Sequence, residues 1–338
     1  MNSTPASTPA PPWILVLLPV YNGSRYLRPQ LDSILGQSHE RLLIVCRDDG
    51  SKDESRAIMA EYQARDPQRI LVVDDQLGNL GARGSFSRLM EIALEVSQQD
   101  PCKGAPCYFA LADQDDTWHP HKLEKLLEAM RRLEQGDSST PALVHGDLRV
   151  VDQDGQEIAP SMAAYQGLRP DRDSLAAQLI SNTVTGCTAM MNRSLVERCT
   201  PVPAESIMHD WWISLVASAF GRRQYLQEAL VNYRQHGNNT IGAKAWTERN
   251  RYRMKAGLAA LPKNIYHVLR VLVIIAIRMW DDEHNEAFQG NARQARAFLR
   301  QFGDQLSIRD RIKTRMACWL SVHFPPLQRV LFRLLRQL

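Results

Sequence analysis

Three carboxylates crowd into one short stretch of this 338-residue chain: Asp113, Asp115 and Asp116, in the sequence LADQDDTWHP. Carboxylates this close repel one another unless a cation lies among them. Oxygen-only ligands suit Mg²⁺ or Mn²⁺, which proteins commonly hold through one or two carboxylates together with substrate phosphates. A cation held there would neutralise the charge that builds on a departing diphosphate. The same residues also read as acids ahead of a helix starting near Pro120, where the helix dipole favours negative charge.

Other acidic groups offer further chemistry or its imitation. The DDGSKD run, Asp48 to Asp53, combines acceptors with a turn. It is suited to reading a nucleotide base or ribose, or else to linking a strand to a helix with Asp53 as the cap. Asp152-Gln153-Asp154-Gly155 has the spacing of a metal motif, but a glycine between two strand-like runs makes it a hairpin turn. Asp171 and Asp173 flank Arg172 at an expected helix start, where capping explains them.

These groups need elements to position them. Trp13 to Val20 (WILVLLPV) is a continuous apolar run ending a buried parallel strand, and Leu27, Leu31, Ile34 and Leu35 follow at helical spacing. Leu42 to Cys46, Ile70 to Val73 and Tyr108 to Ala112 give three more strands. Helices are expected around Ile58, Met59 and Tyr62, around Phe86, Leu89, Met90, Ala93 and Leu94, and around Leu123, Leu126, Leu127, Met130 and Leu133. Strands alternating with helices predict an α/β fold with a doubly wound, mostly parallel sheet. Ligands of such sheets bind beyond the carboxyl ends of the strands, where Pro19 to Gly23, Asp48 to Asp53 and Asp113 to Asp116 all fall. After about residue 140 the pattern loosens into short strands at Ala142 to Asp147, Ala189 to Asn192 and Gln224 to Leu226, with a helix beginning near His209.

Composition sets outer limits. A 44% hydrophobic and 23% charged chain with mean hydropathy of −0.34 is ordinary for a globular protein and argues against a polytopic membrane protein. The six cysteines, Cys46, Cys102, Cys107, Cys187, Cys199 and Cys318, form no CxxC or zinc pattern. They point to a reducing compartment, with a local Cys102–Cys107 pair as the exception to consider. Residues 1–12 lack the features of a signal peptide and read as a disordered leader, so a cytoplasmic location is expected. Residues 243–338 carry 18 Lys/Arg against 7 Asp/Glu, whereas residues 1–242 carry 23 against 30. An acidic body with a basic tail suggests two tasks.

In that tail the apolar run between Arg270 and Arg278 is too short to span a bilayer. Residues 311–338 mix basic residues with Trp319, Phe324, Leu327, Leu331, Phe332, Leu334 and Leu335. They suit helices lying on an anionic membrane surface, or apolar stripes packed on the main domain. No recognised nucleic-acid module is present, and the acidic body would repel phosphate backbones, so no nucleic-acid partner is expected. A sugar nucleotidyltransferase would need a Gly-rich phosphate loop after the first strand, and PVYNG has one glycine.

The ordered set PVYNG (19–23), DDGSKD (48–53), NLGARGSF (79–86), LADQDDTWHPHKL (111–123), TGCTAMMNR (185–193), HDWW (209–212) and YRQHGNNTIG (233–242) resembles the family 2 inverting glycosyltransferases. It is most similar to the bacterial branch of cell-surface polysaccharide rhamnosyltransferases. The resemblance spans residues 13–242 and implies a GT-A domain there, followed by a basic helical extension at 243–338. It implies that Pro19, Tyr21 and Asn22 line the nucleotide pocket, that Asp49 or Asp48 bonds the pyrimidine, and that Arg83 meets phosphate, although this chain has ARG where ARN is commoner. Asp113 and Asp115 match the DxD pair, with Asp115 the direct ligand to Mn²⁺ or Mg²⁺, Asp113 nearer the ribose or a metal-bound water, and Asp116 following.

By the same resemblance Asp210 stands where the general base acts, next to Trp211, with His209 where many relatives carry an acid; read from the residues alone, Asp210 is a helix N-terminal acid beside a tryptophan pair. His236 matches a metal or phosphate ligand and Arg234 a phosphate partner, or else a surface histidine and a salt-bridged arginine. The expected donor is dTDP-L-rhamnose, with UDP-glucose the competitor. The acceptor is a glycan or glycolipid hydroxyl in lipopolysaccharide core or O-antigen assembly, met at the cytoplasmic face of the inner membrane.

Overall fold

The computed structural model describes residues 11–171, 173, 178, 182–203, 206 and 208–237. Residues 1–10 of the leader, the helix start around Arg172, Cys318 and the whole basic extension at 243–338 lie outside the described residues.

Strand β1 (Trp13–Val20) has no polar face because it has no solvent face. Successive side chains of a strand point to opposite sides. Ile14, Val16, Leu18 and Val20 enter one core with helices α1 (Ser24–Leu35), α2 (Ser55–Arg65) and α4 (Lys122–Glu134). Leu15 and Leu17 enter a second core with α3 (Gly81–Val96), α6 (Arg193–Cys199) and α7 (His209–Phe220). A three-layer α/β sandwich follows from that division.

Among the described residues the sheet has nine strands, in the order β3-β2-β1-β4-β8-β6-β9-β5, with β7 paired to β6. The strands β2 (Leu42–Asp48), β3 (Ile70–Val73) and β4 (Cys107–Leu111) join β1 in parallel, as the alternation of elements predicts. Beyond them the sheet is mixed. Strand β8 (Ala189–Asn192) runs antiparallel to both β4 and β6 (Ala142–Val151), while β9 (Arg222–Arg234) is parallel to β6 and antiparallel to the short β5 (Thr117–Trp118). The expected short strand at Gln224 to Leu226 is the first part of the much longer β9, whose mixed polar sequence hides its length.

The turn at Asp152 to Gly155 is the hairpin between β6 and β7 (Glu157–Ala159). Asp152 Oδ1 accepts from the N–H groups of Asp154 and Gln156 at 2.9 Å each, and Gly155 takes φ 86°. The Asp152 carboxylate is spent on the turn. A short helix α5 (Met162–Gln166) follows, capped by Ser161.

One buried cation fastens the open end of the parallel half. Arg47, at the end of β2, is 0% exposed. Its Nη1 meets Asp49 Oδ1 at 2.5 Å and donates to Ser85 Oγ at 3.0 Å; Nε donates to Asp75 Oδ2 at 2.9 Å, and Nη2 to the Gly78 carbonyl at 2.8 Å. The β2 end, the 75–78 loop and α3 are thereby tied to one guanidinium. Replacing it leaves buried Asp49 without its cation and Asp75 with only Arg88, at 3.4 Å, a loss of about 3–5 kcal/mol. Arg47→Met is expected to lower the urea unfolding free energy by about that amount; a change under about 1 kcal/mol would show the network to be incidental.

Candidate active site

The carboxyl ends of β1, β2 and β4 open onto a cleft of about 440 Å³, within the usual range of small-molecule sites. Pro19 and Tyr21 form one wall, and Asp49 with the start of α3 forms the floor. Asp113, Gln114 and Asp115 come from the acidic turn, while Gly186, His209, Asp210 and Tyr233 close the far side. The acidic turn is bolted to the first βα unit by side-chain amides. Gln30 of α1, itself 0% exposed, donates to the Asp113 carbonyl at 2.6 Å, and Gln37 donates to the His119 carbonyl at 2.8 Å while accepting from the Leu123 N–H at 3.0 Å.

Not every residue singled out in the sequence reaches the cleft. Asn22 takes φ 48° and its side-chain Oδ1 accepts from Lys52 N–H at 2.8 Å, binding one loop to the next. Asp48 accepts from the Gly50 and Ser51 N–H groups and pairs with Arg56 at 2.5 Å, so it closes its own turn. Asp49, in contrast, lines the cleft, while its oxygens also accept from Leu80 and Gly81 N–H at 2.7 and 2.9 Å. Arg83 turns away to the carbonyl of Ser206, at 3.1 Å. Trp211 donates its indole N–H to the Gln178 carbonyl at 2.6 Å and packs against the second core. A loop polar group is satisfied equally well by a neighbouring loop as by a ligand, which is why the sequence does not separate the two cases.

The predicted cation ligands divide into two groups. Asp115 Oδ2 lies 2.8 Å from His236 Nε2, and the His236 ring stacks on Tyr26 with centroids 5.1 Å apart. Asp113 instead faces Asp116 and Cys187, whose ligand-capable atoms all lie within 4.8 Å of one another. Arg234 joins the groups: its N–H donates to Asp116 Oδ1 at 3.0 Å and its Nε to the Asp115 carbonyl at 3.1 Å. Asp116 Oδ2 is buried without a conventional hydrogen-bond partner, the Cys187 thiol being its polar neighbour.

Electrostatics follow from this crowding. Burial, then the charges of Asp115 and Asp210, push the Asp113 carboxyl up to about 7. Burial, then Asp115 and Asp113, raise Asp116 well above its ordinary value. Burial also keeps the Cys187 thiol protonated, which makes it a poor ligand for a hard cation. The carboxylate oxygens and the His236 imidazole remain as donors, a set that fits Mn²⁺ or Mg²⁺. The orphaned Asp116 oxygen and the raised Asp113 carboxyl both mark a site whose negative charge is incompletely balanced by the protein.

Lys122 is a contributor with no sequence signal of its own. Lys122, in the first turn of α4, is 0% exposed, donates Nζ to the Cys187 carbonyl at 2.6 Å and lies 3.1 Å from the Trp118 ring centroid. Burial lowers its ammonium to about 7. On the far side, Asp210 Oδ1 accepts from Trp211 N–H at 2.6 Å and Oδ2 from Gly186 N–H at 3.3 Å. Burial lifts this carboxyl to about 6. His209 stacks on Phe86 with centroids 3.9 Å apart, and burial takes its ring down to about 3, so it stays neutral.

Comparison with known proteins follows the same lines. A model of the family described as Glycosyl transferase family 2 matches residues 15–200. An uncharacterized glycosyltransferase of Nostoc sp. is 29% identical over 254 residues, covering 72% of this chain and 72% of that one. TuaG of Bacillus subtilis, whose name places it in teichuronic acid biosynthesis, is 28% identical over 239 residues, covering 70% of this chain and 83% of its own. Among solved structures, S. aureus TarS 1-349 in complex with UDP-GlcNAc shares the fold, with a TM-score of 0.52 and 15% identity over 92% of this chain and 81% of that one. Among the described residues no helix is long and apolar enough to cross a membrane.

The raised carboxyls set a pH trend in stability. Asp113 and Asp210 hold protons up to about 7 and about 6 in the folded chain, against an ordinary 3.8. The folded state therefore binds more protons than the unfolded one between those values. The associated stabilisation is complete below the ordinary value and is lost as pH rises through the folded one. In EDTA the urea midpoint is expected to fall between about pH 4 and pH 7 from these groups, and saturating Mn²⁺ is expected to flatten the fall. A midpoint insensitive to Mn²⁺ across that interval would count against a cation site.

Proposed function

Because the chain belongs to glycosyl transferase family 2, we propose that its cleft receives a nucleotide sugar and that the sugar passes with inversion to a glycan hydroxyl. The chain is a glycosyltransferase enzyme of the GT-A fold. The observation that carries the mechanism is that Asp113, Asp115 and Asp210 stand on the walls of one cleft. Asp115, His236 and Asp113 are assigned to hold a divalent cation, Mn²⁺ or Mg²⁺. Such an ion, when bound, neutralises charge on the departing diphosphate.

The protein's own groups do the remainder. Pro19, Tyr21 and Asp49 accommodate the nucleotide, Tyr21 being 46% exposed at the rim. Asp210 is the general base. A carboxyl titrating near 6 is ionised at neutral pH yet more basic than a solvated one, and its two backbone donors keep it aimed. It takes the proton of the acceptor hydroxyl as that oxygen attacks the anomeric carbon, while the bond to the diphosphate breaks. One displacement gives inversion.

For the donor we favour dTDP-L-rhamnose, on the strength of the ordered motif set, over UDP-glucose. The setting proposed is lipopolysaccharide core or O-antigen assembly on a lipid-linked glycan; the name of TuaG, which places that relative in teichuronic acid biosynthesis, supports a biosynthetic role of that general kind. A panel of nucleotide sugars with Mn²⁺ tests the assignment: dTDP-L-rhamnose is expected to give the largest thermal stabilisation and to release dTDP when acceptor glycan is added. A preference for UDP-glucose would replace the donor but keep the reaction. Pyrophosphate release from a nucleoside triphosphate and a sugar phosphate would replace the reaction itself.

Two substitutions separate binding from chemistry. Asp115→Ala is expected to abolish both Mn²⁺-dependent nucleotide binding and transfer. Asp210→Asn is expected to leave donor binding within about twofold and to cost about 10²–10⁴ in kcat, the usual worth of general base catalysis. In the wild-type enzyme kcat should fall tenfold per pH unit below about pH 6, because protonated Asp210 no longer accepts a proton. An unchanged acid limb in Asp210→Asn would remove Asp210 from that role.

A further inference from the structure

The residue between the two aspartates of the acidic turn makes the most direct link across the cleft. Gln114 Oε1 accepts from the Tyr21 N–H at 2.7 Å, and Gln114 Nε2 donates to the Tyr21 carbonyl at 3.0 Å. One carboxamide thus satisfies both backbone groups of the residue at the nucleotide rim. Neighbouring positions of that loop are held from another direction, Gly23 N–H by Ser55 Oγ and Ser24 N–H by Asp53, each at 2.9 Å.

Space for the link depends on Gly23. A Cβ there would lie 2.5 Å from Gln114 Oε1 and 2.6 Å from its Cδ, closer than nonbonded atoms approach. Any side chain at position 23 must therefore expel the carboxamide from Tyr21. The glutamine and the glycine form one device.

We propose that Gln114 is a positioning residue that couples the acidic turn to the loop receiving the nucleotide, so that a cation held by the turn also orders Tyr21. The functional meaning rests on the donor reading above; the coupling itself is a property of the two segments. Asp113 and Asp115 flank Gln114 directly, so drawing their carboxylates around an ion fixes the backbone from which the carboxamide reaches out. Tyr21 is then presented in one conformation, and less ordering remains to be done when the donor arrives.

Hydrogen exchange and calorimetry test this on the wild type, Gln114→Ala, Gly23→Ala and the double variant. Without ligand, the Tyr21 amide is expected to exchange about tenfold faster in each variant than in the wild type, the loss of roughly one hydrogen bond's worth of protection. The amides of residues 22 and 23, held by Ser51 and Ser55, serve as the internal reference. Mn²⁺ alone should slow that exchange in the wild type and leave it unchanged in Gln114→Ala. Binding of UDP or dTDP with Mn²⁺ should weaken by about tenfold in either single variant, and no further in the double, since both substitutions break the same contact. Equal Mn²⁺ protection in wild type and Gln114→Ala, or single losses that multiply in the double, would overturn the coupling. Failure of the wild type to bind any nucleoside diphosphate would instead overturn the donor reading, with the Mn²⁺-alone exchange still judging the link.

Discussion

Four carboxylates, Asp113, Asp115, Asp116 and Asp210, are gathered where bulk water is largely excluded, and their mutual repulsion is the constraint around which the site is organised. Each structural choice nearby answers it in part. Lys122 is carried into the interior on α4, Arg234 donates its backbone N–H to the Asp116 carboxylate and its Nε to the Asp115 backbone carbonyl, and His236 lies against the Asp115 carboxylate. Glutamines rather than charged residues make the mechanical links, because a neutral amide both donates and accepts without adding to the field. What the protein leaves incompletely balanced is the demand that a divalent ion and an anionic donor can satisfy together.

The same economy explains the far wall. Asp210 sits at the start of α7, where a helix dipole and two N–H groups favour its charge, yet burial wins and lifts it to about 6. His209 beside it stays neutral on Phe86, so no permanent positive charge competes for the acid. A carboxylate in this setting keeps its affinity for a proton, which a solvated one lacks.

Much of this was legible from residues alone. The unbroken apolar run of β1 announced a strand buried on both faces, and the alternation that follows it gave the parallel half of the sheet and the loops at its open end. The dipeptide-spaced acids were found by type and spacing, and the imitation at Asp152–Asp154 was set aside by its glycine. Strand direction was not legible: the four residues Ala189–Asn192 read the same in either sense, and only their packing between β4 and β6 makes them antiparallel. Nor was the burial of Lys122, which lies one residue before the apolar stripe of α4 and is enclosed by the turn at Cys187, 65 residues away. Asn22, Asp48 and Arg83 were picked out by resemblance, but their side chains serve loop-to-loop contacts that no local pattern encodes.

The path of β9 has a further consequence for how such a chain diversifies. One side of the cleft is built almost wholly from one continuous stretch, β1 to α4, whereas the far wall comes from the stretch around β8 and α7. Strand β9 then returns to pair Asn232 with Thr117 and Val231 with Trp118, bringing Arg234 and His236 back to the acids. A recombination event that replaced the intervening segment would exchange the far wall while inheriting the acidic turn and its Arg234 and His236 partners, provided the crossover fell before that returning strand.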